Sequence, residues 1–406
     1  MSRLSSVVLC LVALANSCLG ETPYCNPSDL DAETEDALFK LLISNSSYSS
    51  LDRPKVATNA TYGLAGVPEY VEFEVRVDNI WDISSKKTTF EYKSEVWLQW
   101  VDCRLAFKEP KRGGTISTIV MSYNTLLETF SDVLLWFPIP LDYSAIMRAS
   151  SNTRTMIIYI EPSGVLRARL PQRGTARCPM NFREVPFDRH TCTLTYASPE
   201  YDVSEIRYVL TSTPAKFSGS TTNAEWDIEE LTAQLTSKRV DLSDNRGFVY
   251  SAVDVAFRIR RQPYYYITQA VLPTLLFWAI SYVGFFISWS VAPARSAIHM
   301  SAILILVNHL KNVSDTLPTI SYKTWLSQYV ASHLVIVGLQ MCAFAATFYC
   351  NTKLGELKKA ESLGGGDGGF ARKIYTYLSH LDKVSRVHFF AVVFILNTVF
   401  MVIADV

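Results

Sequence analysis

The chain has 406 residues, and its 38 lysines and arginines are balanced by 38 aspartates and glutamates. A net charge of zero gives no reason to expect nucleic acid or another highly charged partner. Hydrophobic residues make up 49% of the chain, which is high for a soluble protein and indicates that part of it meets lipid. The length allows two domains, each with its own core.

Residues 1–20 have the pattern of a secretory signal peptide. They combine a basic start at Arg3 with an apolar centre over residues 7–14 and small or weakly polar residues before Glu21. Cleavage near Gly20 would send the mature chain into an oxidising compartment, where disulfides form and persist.

Cysteines and asparagines in the next part of the chain fit that route. Cys178 and Cys192 are separated by thirteen residues and are expected to form a disulfide. Asn45 and Asn59 begin Asn-x-Ser/Thr sequences, which predict N-linked glycosylation.

Residues 21–262 are predicted to form a β-rich extracellular domain. Apolar and charged side chains alternate over residues 71–77 and again over 253–259, which is typical of strands with one buried face. Residues 155–160 predict a further strand, and 32–43 a short helix. Many short strands with turns between them predict an antiparallel β-sandwich or barrel.

Residues 263–406 are predicted to form a membrane domain of four helices. Residues 264–287 contain no charged side chain and are long enough to span a bilayer, and Pro273 is tolerated there if neighbouring helices contact the freed backbone. Further spans are predicted at residues 294–313, 325–350 and 387–403. Basic residues crowd the short loop 351–386, which predicts that this loop is cytoplasmic and that both ends of the mature chain are extracellular.

The second predicted span has a narrow polar stripe. At roughly 100° per residue, six side chains fall within an arc of about 80°. They are Ala297, Ser301, Leu304, Asn308, Lys311 and Asp315. Because polar groups in hydrocarbon need a bundle interior or water, the stripe indicates a pore lined by several subunits. The alternative is a polar seam between the helices of one subunit.

Two histidines lie on the same span but away from this stripe. His299 and His309 project roughly 140° from Leu304 on the helical wheel. They are expected to contact the surrounding helices rather than to bind metal in a pore, and proton sensing stays open.

With these features, the chain resembles the Cys-loop, or pentameric, ligand-gated ion channels. The resemblance rests on the disulfide loop with Pro-x-Asp at residues 186–188, on Pro273 in the first span, on Pro-Ala-Arg at 293–295 and on Leu-Pro at 317–318. A metal site or a thioredoxin-like redox site would need closer cysteines or clustered histidines, and the sequence has neither.

The resemblance implies a β-sandwich above a four-helix bundle, with five homologous subunits around a pore and ligand sites between neighbouring extracellular domains. The loop from Cys178 to Cys192 would rest at the junction with the membrane domain and touch residues 316–322. Phe187 and Asp188 would couple the two domains, with Asp188 paired to Arg261. Alternatively, Arg261 is an interface residue near lipid headgroups.

The resemblance also implies the pore. Five Leu304 side chains would converge into an apolar constriction that sheds water when it is narrow. Ala294 and Arg295, at the cytoplasmic end, are similar to the anion-selective branch that contains glycine and γ-aminobutyric acid receptors. The cation branch carries a glutamate where Ala294 stands. Asp315 at the outer mouth has the opposite effect on anions.

The aromatic ligand box is incomplete by comparison with the family. Trp97 matches the tryptophan of the complementary face, and Trp136, Tyr201 and Tyr250 match other aromatic positions. Pro199 occupies the central position, where it offers no π face to a cationic ligand. Each matched aromatic could instead be part of the sandwich core.

Arg167 and Arg169 alternate on one predicted strand, so both guanidinium groups share a face. In the family this strand lines the complementary side of the pocket, where the two arginines could receive a ligand carboxylate. The alternative is a solvated strand face.

The sequence therefore predicts a subunit of a ligand-gated, chloride-selective channel in the plasma membrane, with a postsynaptic site as one location. Its predicted partners are identical or homologous subunits, a small-molecule agonist and lipid, with no nucleic acid. No serine or cysteine nucleophile pairs with a histidine, so no enzyme is predicted, and neither is a cofactor or a metal. A cation-permeable channel, or an accessory subunit that does not gate as a homomer, stays open.

Overall fold

A computed structural model describes most of the chain. The described residues are 25, 27–30, 32, 34–45, 48–54, 68–108, 117–122, 135–148, 156–219, 225–241, 247–362, 373, 376–377 and 380–404. The predicted signal peptide and Asn59 lie outside them. Asn45 is the last residue of helix α1, Glu35–Asn45, which begins where the Thr34 hydroxyl accepts a hydrogen bond from the Ala37 amide at 3.3 Å.

Among the described residues, eleven strands build the β-rich part of the chain. They are β1 (Glu69–Ser84), β2 (Thr89–Val101), β3 (Ile119–Ser122), β4 (Leu141–Asp142), β5 (Ala145–Arg148), β6 (Ile157–Ile160), β7 (Val165–Arg177), β8 (Arg189–Ala197), β9 (Ile206–Phe217), β10 (Trp226–Asp241) and β11 (Gly247–Arg261). A seven-stranded sheet has the order β3-β6-β7-β2-β1-β9 with β5 beside β7, and a four-stranded sheet has the order β10-β11-β8-β4. The prediction of a sandwich is confirmed, with one exception to antiparallel pairing, since β1 and β9 run parallel.

The sandwich core lies between the inward faces of these sheets. On β1 the alternate residues Val71, Phe73, Val75 and Val77 are fully buried, while the charged residues between them point outward. Phe73 packs against Tyr196 of β8, with their ring centroids 5.6 Å apart. The alternation that predicted this strand is therefore the alternation that closes the core.

Helices follow β11 at the predicted spans. The first span, Tyr264–Phe286, contains a π-helical turn and then helix α2. The helices are α2 (Leu272–Val283), α3 (Ala292–Asp315), α4 (Trp325–Ser362) and α5 (Leu381–Ala404). Helix α4 continues past the predicted end at Cys350, and α5 begins before residue 387.

Three of these helical segments are long and apolar enough to cross a membrane, namely Tyr264–Phe286, Trp325–Lys359 and Lys383–Ile403. Helix α3 is not among them, because polar residues recur along its length. Its buried residues Ala302 and Leu306 nevertheless pack with Val337 of α4 in one cluster. Helix α3 is thus built into the same bundle as its more apolar neighbours.

Two disulfides tie the extracellular part. Cys178 is bonded to Cys192, as expected, and Cys25 is bonded to Cys103. The second bond joins the segment before α1 to the short 3-10 helix that follows β2. Gly164, at φ +82°, packs against it, since a Cβ there would lie 3.4 Å from the Cys25 sulfur.

Candidate ligand, coupling and pore sites

A groove of about 210 Å³ lies on the outward face of the seven-stranded sheet. Its lining residues come from four strands or their ends: Glu72, Glu74, Arg76, Trp97, Leu98, Gln99, Arg167 and Thr211. Trp97 is central because the strand register sets it opposite Glu74 on one side and Arg169 on the other. The groove therefore joins one aromatic surface to charges of both signs.

Cationic groups already approach the Trp97 ring from within the subunit. The guanidinium carbon of Arg76 lies 4.6 Å from the ring centroid, and that of Arg169 lies 6.0 Å away. Tyr159 stacks on the same indole at 6.3 Å. A cationic ligand would have to displace or share this cation–π contact. Arg76 is itself paired with Glu74 at 3.0 Å, so the charge beside the ring is mixed.

The two predicted arginines share this face, but each has acidic or amide partners. Arg169 forms an ion pair with Glu95, and this hydrogen bond raises the arginine pKa above its usual value. Arg167 Nε donates to Gln99 Oε1 at 2.7 Å, and its Nη2 lies 3.4 Å from Glu161 Oε1. Arg167 is the more accessible of the two, with 51% of its side chain exposed, so it is the better candidate to receive a ligand carboxylate.

The structure does not support direct ligand contact by Trp136. Its side chain is only 1% exposed and packs in the sandwich core, with Trp100 at 6.3 Å between ring centroids. Its indole Nε1 donates to the Tyr201 hydroxyl at 3.0 Å. Trp136 thus positions Tyr201 through its indole, and in the single chain its own ring is not open to a ligand.

The other box positions lie near one end of β11. Pro199 is half-buried in the bend after β8, and Val203 of the next segment donates its amide to the Val249 carbonyl at 2.8 Å. Tyr201 and Tyr250 are both half-buried there. Trp97 lies on the opposite sheet, so one subunit does not bring it together with Tyr201 and Tyr250.

A buried ionic cluster supports Trp136 from behind. The Trp136 amide donates to the Tyr48 hydroxyl at 2.9 Å, and that hydroxyl lies 3.5 Å from Asp102 Oδ2. Arg104 holds the Asp102 carboxylate through Nε at 2.8 Å and Nη2 at 2.6 Å. Glu69 is 3% exposed in the same region, where burial, with a further contribution from Asp102, raises its pKa to about 8.

Glu69 predicts a loss of stability as pH rises. Its folded pKa of about 8 exceeds the ordinary 4.5, so its contribution is full below pH 4.5 and is lost as pH rises through 8. We expect the apparent melting temperature of the detergent-solubilised chain to fall by about 5 °C between pH 6 and pH 9, and Glu69→Gln to reduce that fall. Glu72→Gln, on the same strand but outward, is the control and should keep it. An identical pH profile for Glu69→Gln and the parent chain would contradict the prediction.

Arg261 is the centre of the predicted coupling site. Its Nε donates to Asp188 Oδ1 at 2.7 Å, and Nη2 donates to Oδ2 at 3.1 Å. The same guanidinium reaches Ser85 Oγ at 2.9 Å and the Tyr266 hydroxyl at 3.0 Å, and forms an ion pair with Glu225. One buried cation therefore joins the disulfide loop, the β1–β2 turn and the first span, which is inconsistent with a headgroup-facing arginine.

Electrostatics at this centre favour the ionised pair. Burial opposes ionisation of Asp188, but hydrogen bonds from His190 and Arg261 lower its pKa below the usual 3.8. Burial likewise opposes the charge on Arg261, and its bonds to Asp188 raise the pKa above the usual value. The His190 ring donates from Nε2 to Asp188 at 2.6 Å, since its Nδ1 accepts the Asn181 amide at 3.4 Å.

The disulfide loop also contacts the membrane helices directly. The Phe182 amide donates to the Tyr322 hydroxyl at 3.0 Å, and the Trp325 amide donates to the Arg183 carbonyl at 2.7 Å. The Phe187 ring meets the Trp325 ring edge-on, with centroids 5.3 Å apart. The loop therefore touches both the segment after α3 and the start of α4.

Helix α3 presents the predicted stripe on its open face. All six stripe residues and Ala294 are exposed, and Leu304 is 61% exposed. Arg295 is different, because its side chain is fully buried with its guanidinium 4.9 Å from Phe285 and 4.8 Å from Phe344. The resemblance places Arg295 in the pore, but it lies nine residues before Leu304 and therefore points to the opposite side of the helix.

Several residues at these sites carried no signal in the sequence. Ser85, Glu225 and Tyr266 converge on Arg261 from separate parts of the chain, and Arg76 reaches Trp97 only through strand register. In the part of the chain that the structure describes, no group of three or more His, Cys, Asp and Glu side chains is placed to hold a metal ion.

Comparisons with known proteins give a family and distant relatives. Residues 35–263 match the family described as neurotransmitter-gated ion-channel ligand binding domain. The γ-aminobutyric acid receptor subunit β-4 of Gallus gallus is 24% identical over 86% of this chain and 66% of its own length. The γ-aminobutyric acid receptor subunit α-4 of Rattus norvegicus is 24% identical over 87% of this chain and 60% of its own. The neuronal acetylcholine receptor subunit β-4 of Gallus gallus is 25% identical over 75% of this chain and 60% of its own length. The chain thus spans less than two thirds of the length of each of these relatives.

Proposed function

Because the chain belongs to the neurotransmitter-gated ion-channel family, we propose that it is a subunit of a pentameric channel opened by an extracellular ligand. Residues 21–262 would form the ligand-binding domain and 263–406 the membrane domain, with the loop 351–386 in the cytoplasm. The subunit would lie in the plasma membrane with its N-terminal domain and C-terminus outside. A postsynaptic location is part of the same proposal.

The exposed stripe on α3 carries this proposal. A membrane helix that leaves Ser301, Asn308 and Lys311 outside its own bundle needs a second polar surface or water against them. Copies of the same helix around an axis supply both, and they bring five Leu304 side chains together as an apolar gate. Opposite charges on neighbouring helices, Lys311 and Asp315, would line the outer mouth.

The groove around Trp97 is the proposed complementary side of the ligand site. It offers one aromatic face, the accessible Arg167 and the amide of Gln99, and it lies on the sheet opposite to Tyr201 and Tyr250. A neighbouring subunit would therefore have to provide those tyrosines. We propose a small ligand that carries a carboxylate for Arg167, as γ-aminobutyric acid and glycine do.

The ligand proposal is tested with the chain expressed alone under two-electrode voltage clamp. The probes are γ-aminobutyric acid, glycine and acetylcholine. We expect a carboxylate ligand to evoke current, and Trp97→Ala to raise its half-maximal concentration about tenfold by removing the aromatic face. Tyr70→Ala, an exposed aromatic on β1 outside the groove, is the matched control and should change little.

The outcomes of that screen separate the candidate functions. A response to acetylcholine alone would contradict the carboxylate assignment. A chain that reaches the surface and conducts only with another subunit would be an accessory subunit, a reading that the buried Trp136 favours.

We propose chloride selectivity, with Ala294 as the determinant at the cytoplasmic end of α3. A ring of five alanines there lacks the negative field that attracts cations. In low-chloride solution the reversal potential should follow chloride, and Ala294→Glu should move it toward the sodium equilibrium potential. Ala294→Gln has a similar size without the charge and should leave selectivity unchanged. A parent channel whose reversal potential follows sodium would contradict the assignment.

A further inference from the structure

The two histidines of α3 both bond to the first span, at points far apart along the bundle. His309 Nε2 lies 3.1 Å from the Ala270 carbonyl oxygen, and because a carbonyl only accepts, the ring donates from Nε2. His299 Nδ1 lies 2.8 Å from Ser281 Oγ. Each bond therefore ties α3 to a different end of the first span.

The bond between His299 and Ser281 continues into a third helix. Ser281 Oγ donates its single hydrogen to Gln340 Oε1 of α4 at 2.6 Å. His299 Nδ1 must then carry the proton and donate to Ser281, so one chain of hydrogen bonds runs from α3 through the first span to α4. His299, Ser281 and Gln340 are all fully buried.

The surroundings leave the His299 ring little freedom. The ring lies against Phe285 at 5.8 Å and Phe344 at 6.2 Å between centroids. A Cβ added to Gly284 would come within 3.1 Å of two ring atoms, so the glycine lets the first span approach the ring closely. Packing and the Ser281 bond thus define one position for this side of α3.

The bond between His309 and Ala270 lies at an irregular part of the first span. Residues Ile267–Val271 form a π-helical turn, and Pro273, just after it, has no amide hydrogen. The Ala270 carbonyl in that turn accepts from the Thr274 hydroxyl at 2.7 Å as well as from His309. The Ala270 carbonyl therefore accepts two side-chain donors, one from its own helix and one from α3.

We infer that His299 and His309 are positioning residues for gating: together they hold the rotation of α3 about its axis at which Leu304 faces the pore. The inference rests on the pore proposed above. Two bonds ten residues apart along the helix, both on the side away from Leu304, resist rotation better than one. Opening by outward movement or rotation of α3 must break or rebuild them, so their loss favours the conducting state.

The variants remove or keep the donor at each position. His299→Phe and His309→Phe retain a ring but lose the N–H. His299→Asn places an amide nitrogen near the site of Nδ1, and His309→Gln places one near the site of Nε2, so both keep a donor. His388→Phe is the matched control, because His388 is exposed on α5 and bonds only to the Val384 carbonyl of its own helix.

The first readout measures helix rotation without any current. Near the outer end of α3, Leu310 is half-buried and Lys311 is exposed. Each is replaced by cysteine in turn, as Leu310→Cys or Lys311→Cys, in a background that lacks the free cysteines through Cys342→Ala and Cys350→Ala. The measured quantity is the rate at which a membrane-impermeant thiol reagent labels the cysteine at 310, divided by the rate at 311. Only protein at the surface is labelled, and rates do not depend on its amount, so a change in expression does not alter the ratio. We expect both phenylalanine variants to raise the ratio about threefold, the amide variants to restore it and His388→Phe to leave it unchanged.

The second readout is the resting current per surface subunit under voltage clamp. It should rise in each phenylalanine variant, rise further in the double variant and return with the amide variants. An unchanged labelling ratio, or amide variants that fail to restore it, would overturn the positioning role. A third outcome is a labelling ratio that changes as expected in a chain that never conducts, even as Leu304→Ser. This result would overturn the proposed pore but support the contact between α3 and the first span.

Discussion

Leu304→Ser is expected to produce a resting current that needs no ligand. In the proposed pore, five leucine side chains at one level would exclude water when the helices are close, and this dry gap would block ions without any plug. A hydroxyl at each position lets water remain in the same gap. The resting current per surface subunit should therefore rise by about tenfold or more, since the barrier to ions is the dehydration that serine relieves.

The measurement is the holding current of cells that express the variant, divided by the surface protein found by biotinylation. Leu339→Ser is the matched control, because Leu339 on α4 is exposed to a similar extent, 54% against 61%, but does not lie on the stripe of α3. It should leave the resting current at the level of the parent chain. A silent Leu304→Ser channel at normal surface density would contradict the assignment of the gate. Current from Leu339→Ser would indicate a general leak.

Arg261→Met is expected to abolish surface assembly. The substitution keeps the length of the side chain but leaves Asp188 buried, 1% exposed, without its cation. Removal of one partner of a buried ion pair typically costs about 3–5 kcal/mol, which is comparable to the stability of many domains. Surface protein should fall by more than about tenfold.

The control for Arg261 lies on the same strand. Arg258 is 65% exposed and pairs at 3.3 Å with a half-exposed Glu230, so Arg258→Met should cost less than about 1 kcal/mol. The pair Asp188→Asn with Arg261→Met should recover part of the loss, since no uncompensated carboxylate remains. Normal surface levels of Arg261→Met, or equal loss in Arg258→Met, would contradict the role of the buried pair.

Acidity should leave this junction intact over the physiological range. The folded pKa of Asp188 is depressed below its usual 3.8, so the stability of the pair is present above that value and lost only as pH falls through the folded pKa. Glu69 has the opposite shift and loses its contribution as pH rises toward 8. The two carboxyl groups therefore predict separate pH windows for the junction and for the region around Trp136.

Local periodicity predicted much of this chain. Alternation over residues 71–77 identified a strand whose inward residues are fully buried, and the same arithmetic with a helical period identified the stripe on α3. On the helical wheel of α3, His299 and His309 project away from Leu304, and in the structure both form hydrogen bonds to the first span. Each of these inferences needs only the geometry of one element, which a short stretch of sequence determines.

Resemblance alone was less reliable for individual side chains. Trp136 matches a ligand-box position, yet the sandwich buries it and uses its indole to bind Tyr201. Arg295 matches a pore position, yet it packs between Phe285 and Phe344. In both cases the family pattern places a residue along the chain but does not say which way its side chain points.

The sequence by itself determined the β-sandwich followed by helices, the disulfide loop and the polar face of α3. Only the tertiary structure decided that Arg261 joins Asp188 to Ser85 and Tyr266, that Cys25 pairs with Cys103, and that Arg76 covers Trp97. The physical reason is range. Periodicity follows from the repeat of a single helix or strand, whereas these contacts join residues far apart in the chain, and strand register and helix packing bring them together only in the folded protein.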